Sequence, residues 1–278
     1  MPDTPSKPLA CDRQGKCAAT PKRARVIWHD PCQPREAPAF CGLGQSGSSF
    51  ETSPNQQNGE VSKTLPGGKR RGGARNRASR ESQGLSAARV TNLIAATVHA
   101  NAISLPFTRM ITIHWEAAGV PLADMVKATG RFVDLMTKAL ARHGTNTAWL
   151  WVHENGDGKG GHCHLLAYVP ADLVSRLTVL QMGWLKAITG KPYVKDVIHS
   201  KPIGGRLGLE VGNPDLHAIN LEVAFGYVCK GAPQDVLDAF AIDRVHQPGG
   251  RVIGRRSSTS QNIGTTARRA EKDRFPSD

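Results

Sequence analysis

Gly161-His162-Cys163-His164-Leu165-Leu166-Ala167-Tyr168-Val169 reads as a β-strand carrying two imidazoles on one face. Side chains two apart on a strand share a face, so His162 and His164 project together while Cys163 turns to the opposite face and the core. Paired imidazoles suit a divalent metal. The residues that follow, Leu165-Leu166-Ala167, are apolar, so the strand enters a core with its polar end outward. Just upstream, residues 148–154 form a second strand-like run ending at Glu154. Asn155-Gly156-Asp157-Gly158-Lys159-Gly160-Gly161 is the hairpin loop between them. If Glu154 faces His162 across that turn, then Glu154, Val152 and Leu150 share the face of both imidazoles. A slip of one residue would present His153 instead. The third ligand is therefore Glu154 or His153, with Glu154 preferred. Two imidazoles and a carboxylate suit Mg2+ or Mn2+ acting as a Lewis acid on a phosphate, whereas three imidazoles would favour a softer transition metal.

Outward from this hairpin the periodicity alternates. Residues 86–101 have helical apolar spacing at Val90, Leu93, Ile94 and Val98, and Pro106 interrupts it. Residues 110–115 are β-rich and read as the first strand of the main domain. Residues 121–143 are a helix, with Pro121 in its first turn and Gly144 past its end. Residues 171–189 form another helix, 193–199 a strand before the turn at Gly204-Gly205, and 218–230 a short helix stopped by Gly231 and Pro233. Strand, helix, two strands, helix, strand predicts an α+β fold: one antiparallel sheet covered by helices on one face, in two linked β-α-β halves. The organisation expected is a disordered basic N-terminal arm over 1–85, a folded domain over 86–245 and a basic flexible C-terminal tail over 246–278.

The balance of 36 Lys+Arg against 23 Asp+Glu gives +13 over 278 residues and points to a polyanionic partner, nucleic acid before acidic membrane. Lys69-Arg70-Arg71-Gly72-Gly73-Ala74-Arg75-Asn76-Arg77, and later Arg251, Arg255, Arg256, Arg268 and Arg269, read as phosphate-tracking arms or solvated linkers. No apolar run approaches the roughly 18 residues of a bilayer span. The N-terminus lacks a signal-peptide core, so a cytoplasmic location is expected. Cys11, Cys17, Cys32 and Cys41 form no C-x-x-C, and read as reduced thiols rather than a zinc knuckle completed by His29. Gly156, Gly158 and Gly161 spell G-x-G-x-x-G, but a strand follows where a dinucleotide site needs a helix. No P-loop signature G-x-x-x-x-G-K-S/T occurs, so no helicase or ATPase half is evident.

Tyr227 and Lys230 stand three apart on a helix and share a side. A phenol of ordinary pKa about 10 is a poor nucleophile. A neighbouring ammonium favours the phenolate and can bind the charge of a pentavalent phosphoryl transition state. Gly226 and Gly231 would let a DNA backbone approach.

The hydrophobic strand 110–115, His162-Cys163-His164 and Tyr227-Val228-Cys229-Lys230, in that order, resemble the three motifs of the HUH endonuclease superfamily, specifically its single-tyrosine rolling-circle replication initiators. The resemblance covers about residues 105–232. It implies an RRM-like or ferredoxin-like antiparallel sheet flanked by helices. It also implies a metal site of His162, His164 and Glu154 holding Mg2+ or Mn2+, with Tyr227 as nucleophile and Lys230 as its assistant. The implied substrate is single-stranded DNA or an origin hairpin, nicked and rejoined through a 5′-phosphotyrosine to initiate rolling-circle replication of a plasmid or phage, with a host helicase as partner and no ATP. Cys163 between the histidines and the long interval from His164 to Tyr227 depart from the pattern. A mobilisation relaxase usually places its tyrosine before the histidine motif, and a single-tyrosine transposase is usually shorter. A non-catalytic RRM-like nucleic-acid-binding module would call for exposed aromatics on the sheet, yet Trp149 and Trp151 lie opposite the metal face and aromatics are 5% of the chain.

Overall fold

Two central strands, apolar on both sides, set the architecture, because a strand with two apolar faces has to be covered twice. In the computed structural model, which describes residues 80–274, β1 is Glu81–Ser82, α1 Ala87–Ala102, β2 Arg109–His114, α2 Met125–Ala141, β3 Trp149–Gly156, β4 Gly160–Ala167 and α3 Val174–Thr189. There follow β5 Ile198–Pro202, α4 Leu209–Gly212, α5 Pro214–Cys229, α6 Gln234–Ala239, β6 Val252–Ile253, β7 Ser257–Thr259 and α7 Thr265–Arg274. The main sheet is antiparallel throughout, in the order β5-β2-β4-β3-β7. The fold is therefore α+β, a five-stranded antiparallel sheet flanked by helices. The basic run at 69–77 and the four N-terminal cysteines lie outside the described residues.

Helices cover both faces of the sheet, not the one expected. On one side Ile111, Ile113, Trp151, Cys163 and Leu165 pack on α2 and α3 through Phe132, Met136, Leu177 and Trp184. On the other, Leu150, Val152 and Leu166 lie under α1 and α5, which contribute Val90, Leu93, Leu221, Phe225 and Val228. β3 and β4 meet with Glu154 opposite His162 and Val152 opposite His164. The turn between them is tight because Gly158 and Gly160 adopt left-handed φ of 74° and 61°. α5 begins earlier than residue 218. Asn213 caps it, accepting from the Leu216 amide at 3.0 Å, and Pro214 fills the first helical position. The strand expected over 193–199 lies at Ile198–Pro202, after a turn in which Asp196 has φ 63°.

The C-terminal segment is not a flexible tail over its described length. β7 completes the sheet against β3, β6 pairs with β1, and α7 returns to α1, where His99 Nδ1 lies 2.7 Å from Glu271 and the Arg268 guanidinium donates to Asn92 at 2.6 Å. Leu85 is buried too, so the folded unit includes residues 80–85 and extends to Arg274, wider than 86–245. Arg256, expected to track phosphate, is wholly buried. Its guanidinium donates to the carbonyls of Ser82, His153, Gly249 and Gly250 and to the Ser82 hydroxyl. A guanidinium can be buried when backbone oxygens satisfy its five N–H groups, a match composition cannot report. Arg256→Met, which strands those acceptors, should lower unfolding free energy by about 3 kcal/mol, read as a drop in the urea midpoint at constant slope. Among the described residues, no helix is long and apolar enough to cross a membrane.

Candidate metal centre and tyrosine site

Pairing register delivers three donors to one point. Glu154 on β3 and His162 and His164 on β4 share the sheet face that α5 crosses, and all three are buried. Nε2 of His162 and Nε2 of His164 lie 3.3 and 3.4 Å from the same Glu154 oxygen, Oε2. One ligand atom from each of the three falls within 4.8 Å of the others. Each imidazole is oriented from behind. His162 Nδ1 donates to the Gly160 carbonyl at 2.8 Å, and His164 Nδ1 lies 3.0 Å from the Thr112 hydroxyl. Lys230 Nζ, 3.3 Å from His164 Nε2, can only donate, so Nε2 is the acceptor nitrogen and Nδ1 carries the proton given to Thr112. Burial lowers the His164 pKa to about 4, partly offset by Glu154, so the ring is neutral at pH 7. Two lone pairs and a carboxylate thus converge, the donor set a divalent cation takes.

A further feature fits such a cation. Glu154 Oε1 is buried without a hydrogen-bond partner among the described residues. Burial by itself would raise the Glu154 pKa, but the contacts of its Oε2 with His162 and His164 and the charge of Lys230 outweigh it and hold the group well below the usual carboxylate range. A charged oxygen left unpaired in the interior is costly unless something positive completes it. The Thr112 hydroxyl positions His164 rather than touching a ligand. Thr112→Val should therefore weaken Mn2+ binding by about ten-fold in a calorimetric titration while leaving the fold intact.

His153, the alternative third ligand, points to the opposite face. Its Nδ1 donates to the Arg255 carbonyl at 3.2 Å and its Nε2 accepts from the Thr129 hydroxyl at 2.8 Å, which itself accepts from Trp115 Nε1 at 2.7 Å. The ring stacks on Trp151 at 4.2 Å, and burial lowers its pKa to about 3. Both nitrogens are committed, so His153 is a core residue.

α5 brings Tyr227 and Lys230 to the same place. The Tyr227 ring lies edge-on to His164 with centroids 5.0 Å apart, and Lys230 Nζ stands 4.2 Å from the Tyr227 ring centroid. Lys230 is buried and donates to Glu154 Oε2. A cleft of ≈ 370 Å³ lined by Tyr227, Lys230, Asp243, Arg244, Val245 and Gln247 opens beside them. The phenol is not primed as the residue types imply. Burial raises the Tyr227 pKa, and the Glu154 carboxylate raises it further against a smaller opposing effect of Arg244. Lys230 spends its charge on Glu154. A Cβ at Gly226 would meet Arg244 Cγ at 3.2 Å, and one at Gly231 would stand 3.5 Å from both Glu154 Oε1 and Gly249 Cα.

Sequence reasoning missed Thr112, the 243–247 wall and His114. On β2, His114 sits directly opposite His162, and its ring stacks there at 5.5 Å. Strand alternation in residues 110–115 carried that signal, since His114 shares the parity of Thr112. Compared with protein-family models, curated proteins and solved structures, the chain matches none.

Proposed function

We propose that this chain nicks and rejoins single-stranded DNA, with Tyr227 as the nucleophile, and so initiates rolling-circle replication in the manner of the HUH endonucleases it resembles. The observation that carries the reading is the convergence of a phenol, an ammonium, two imidazoles and a carboxylate, from three elements, beside one cleft. The connectivity β2-α2-β3-β4-α3-β5 in the spatial order β5-β2-β4-β3 supports an RRM-like or ferredoxin-like sheet. The +13 charge supports a polyanionic substrate.

His162, His164 and Glu154 would hold the ion, with Mg2+ or Mn2+ the choice favoured by a mixed oxygen and nitrogen set. When bound, such an ion supplies Lewis acidity to a non-bridging phosphate oxygen and offsets the Glu154 charge that now opposes ionisation of Tyr227. Tyr227 Oη forms the bond to phosphorus as the bond to the 3′-oxygen breaks, and the phenolic proton ends on the departing 3′-hydroxyl. Lys230, which donates to Glu154 and stands 4.2 Å from the Tyr227 ring centroid, would turn its ammonium to the equatorial oxygens in this mechanism. The 5′-phosphotyrosine keeps the bond energy, so a second 3′-hydroxyl can reverse the step without ATP. A host helicase would supply strand separation.

The test is direct. The protein is incubated with a pool of single-stranded oligonucleotides and Mn2+, denatured, and the adduct digested for mass spectrometry. A nucleotide mass on the peptide bearing Tyr227 is expected. The absence of any adduct, or an adduct on another residue, would refute the assignment.

A further inference from the structure

The face that carries the donor trio continues past His162. His114 stacks on His162 with centroids 5.5 Å apart and 29° between planes, and His199 on β5 meets His114 edge-on at 5.8 Å. On the other side His164 lies 4.9 Å from His162, and Tyr227 lies 5.0 Å from His164. Five rings therefore run without a gap from α5 across β4 and β2 to the β5 edge. Exposure increases along the row: His162 is buried, His114 half-buried and His199 exposed. The pairing Thr112 with His199 and Met110 with Lys201 puts exposed Lys201 on the same face, and Lys159 acts electrostatically on His114 from the β3–β4 turn. The outer half of this face is thus open, with flat rings bordered by cations.

A strand whose phosphate lies between Tyr227 and the trio has to continue somewhere. On one side of Tyr227 lies the cleft lined by Asp243, Arg244, Val245 and Gln247. The β2–β5 surface is open. Nucleobases stack on flat side chains of any sequence, and cations beside the rings hold the backbone. Resting on the strand-transfer reading above, we infer that His114 and His199 form a nucleotide subsite. There the base flanking the scissile phosphate stacks on the His199 ring, and Lys159 and Lys201 face its backbone.

The experiment measures binding of fluorescein-labelled (dT)15 by anisotropy, in chelator, over a range of salt concentrations. It uses Tyr227→Phe protein so that no covalent capture occurs. His199→Ala should weaken binding by about ten-fold at every salt concentration, His199→Phe should restore it, and the salt slope should stay unchanged. Equal affinity in His199→Ala would overturn the subsite. So would a loss that Phe does not rescue and that lowers the slope by about one, since His199 would then be acting as a phosphate cation. Adduct formation by protein retaining Tyr227 is scored separately. An adduct with no His199 effect on binding removes the subsite and leaves the strand-transfer reading standing. Ring-dependent binding with no adduct removes the chemistry and keeps the binding surface.

Discussion

Tyr227→Phe is expected to abolish adduct formation and cut nicking by roughly ten-thousand-fold or more, because in the proposed mechanism it removes the attacking atom rather than a supporting contact. The same protein should bind single-stranded DNA and Mn2+ as the parent does. Tyr227 is only half-buried, and its hydroxyl makes no hydrogen bond among the described residues. Its ring contacts with His164 and Lys230 survive in phenylalanine. A gel assay on labelled oligonucleotide, run beside an anisotropy titration, separates the two effects. Nicking retained by the phenylalanine protein would transfer the chemistry to a metal-activated water and end the tyrosine mechanism.

The second large effect falls on the metal. Glu154→Gln should lower Mn2+ affinity by more than about 100-fold, because it removes the one anionic donor of the trio. Chelator should reproduce the activity loss in unaltered protein. His153→Gln should leave Mn2+ affinity within about two-fold, since its imidazole faces the other core, and should instead cost about 2 kcal/mol of stability through the broken Trp115–Thr129–His153 chain. The two substitutions also differ in pH behaviour. Folded His153 has its pKa lowered to about 3 from 6.5, so between these values the unfolded chain binds a proton that the folded chain does not. Stability then rises with pH across that window and is lost as pH falls through it. His153→Gln should flatten this part of the profile, measured as urea midpoints from pH 3.5 to 7. A loss of metal binding in His153→Gln greater than that in Glu154→Gln would reassign the third ligand.

Legibility in the sequence followed the range of the interactions. Alternation along 148–154 and 161–169, joined by a glycine loop, narrowed the third donor to Glu154 or His153, because a short hairpin leaves few registers, and the pairing in the structure put Glu154 opposite His162. Three-residue spacing was enough to put Tyr227 and Lys230 on one side of a helix. β7 was not legible. It is three polar residues, Ser257–Thr259, that pair with a strand about a hundred positions earlier, and no period marks them. Arg256 was misread for the same reason, since its partners are backbone carbonyls of Ser82, His153, Gly249 and Gly250.

The amino-acid order by itself determined which residue types could meet: a pair of imidazoles on a strand, a carboxylate across a turn, a phenol and an ammonium on a later helix. These follow from local backbone geometry, which repeats every two residues in a strand and every 3.6 in a helix. Only the tertiary structure decided their charge states and company. It committed the Lys230 ammonium to Glu154, raised rather than lowered the pKa of Tyr227, sent His153 into the core, and set His114 and His199 in line with the trio. The physical reason is that desolvation and Coulomb interactions depend on which distant segments pack together, and no local periodicity encodes that.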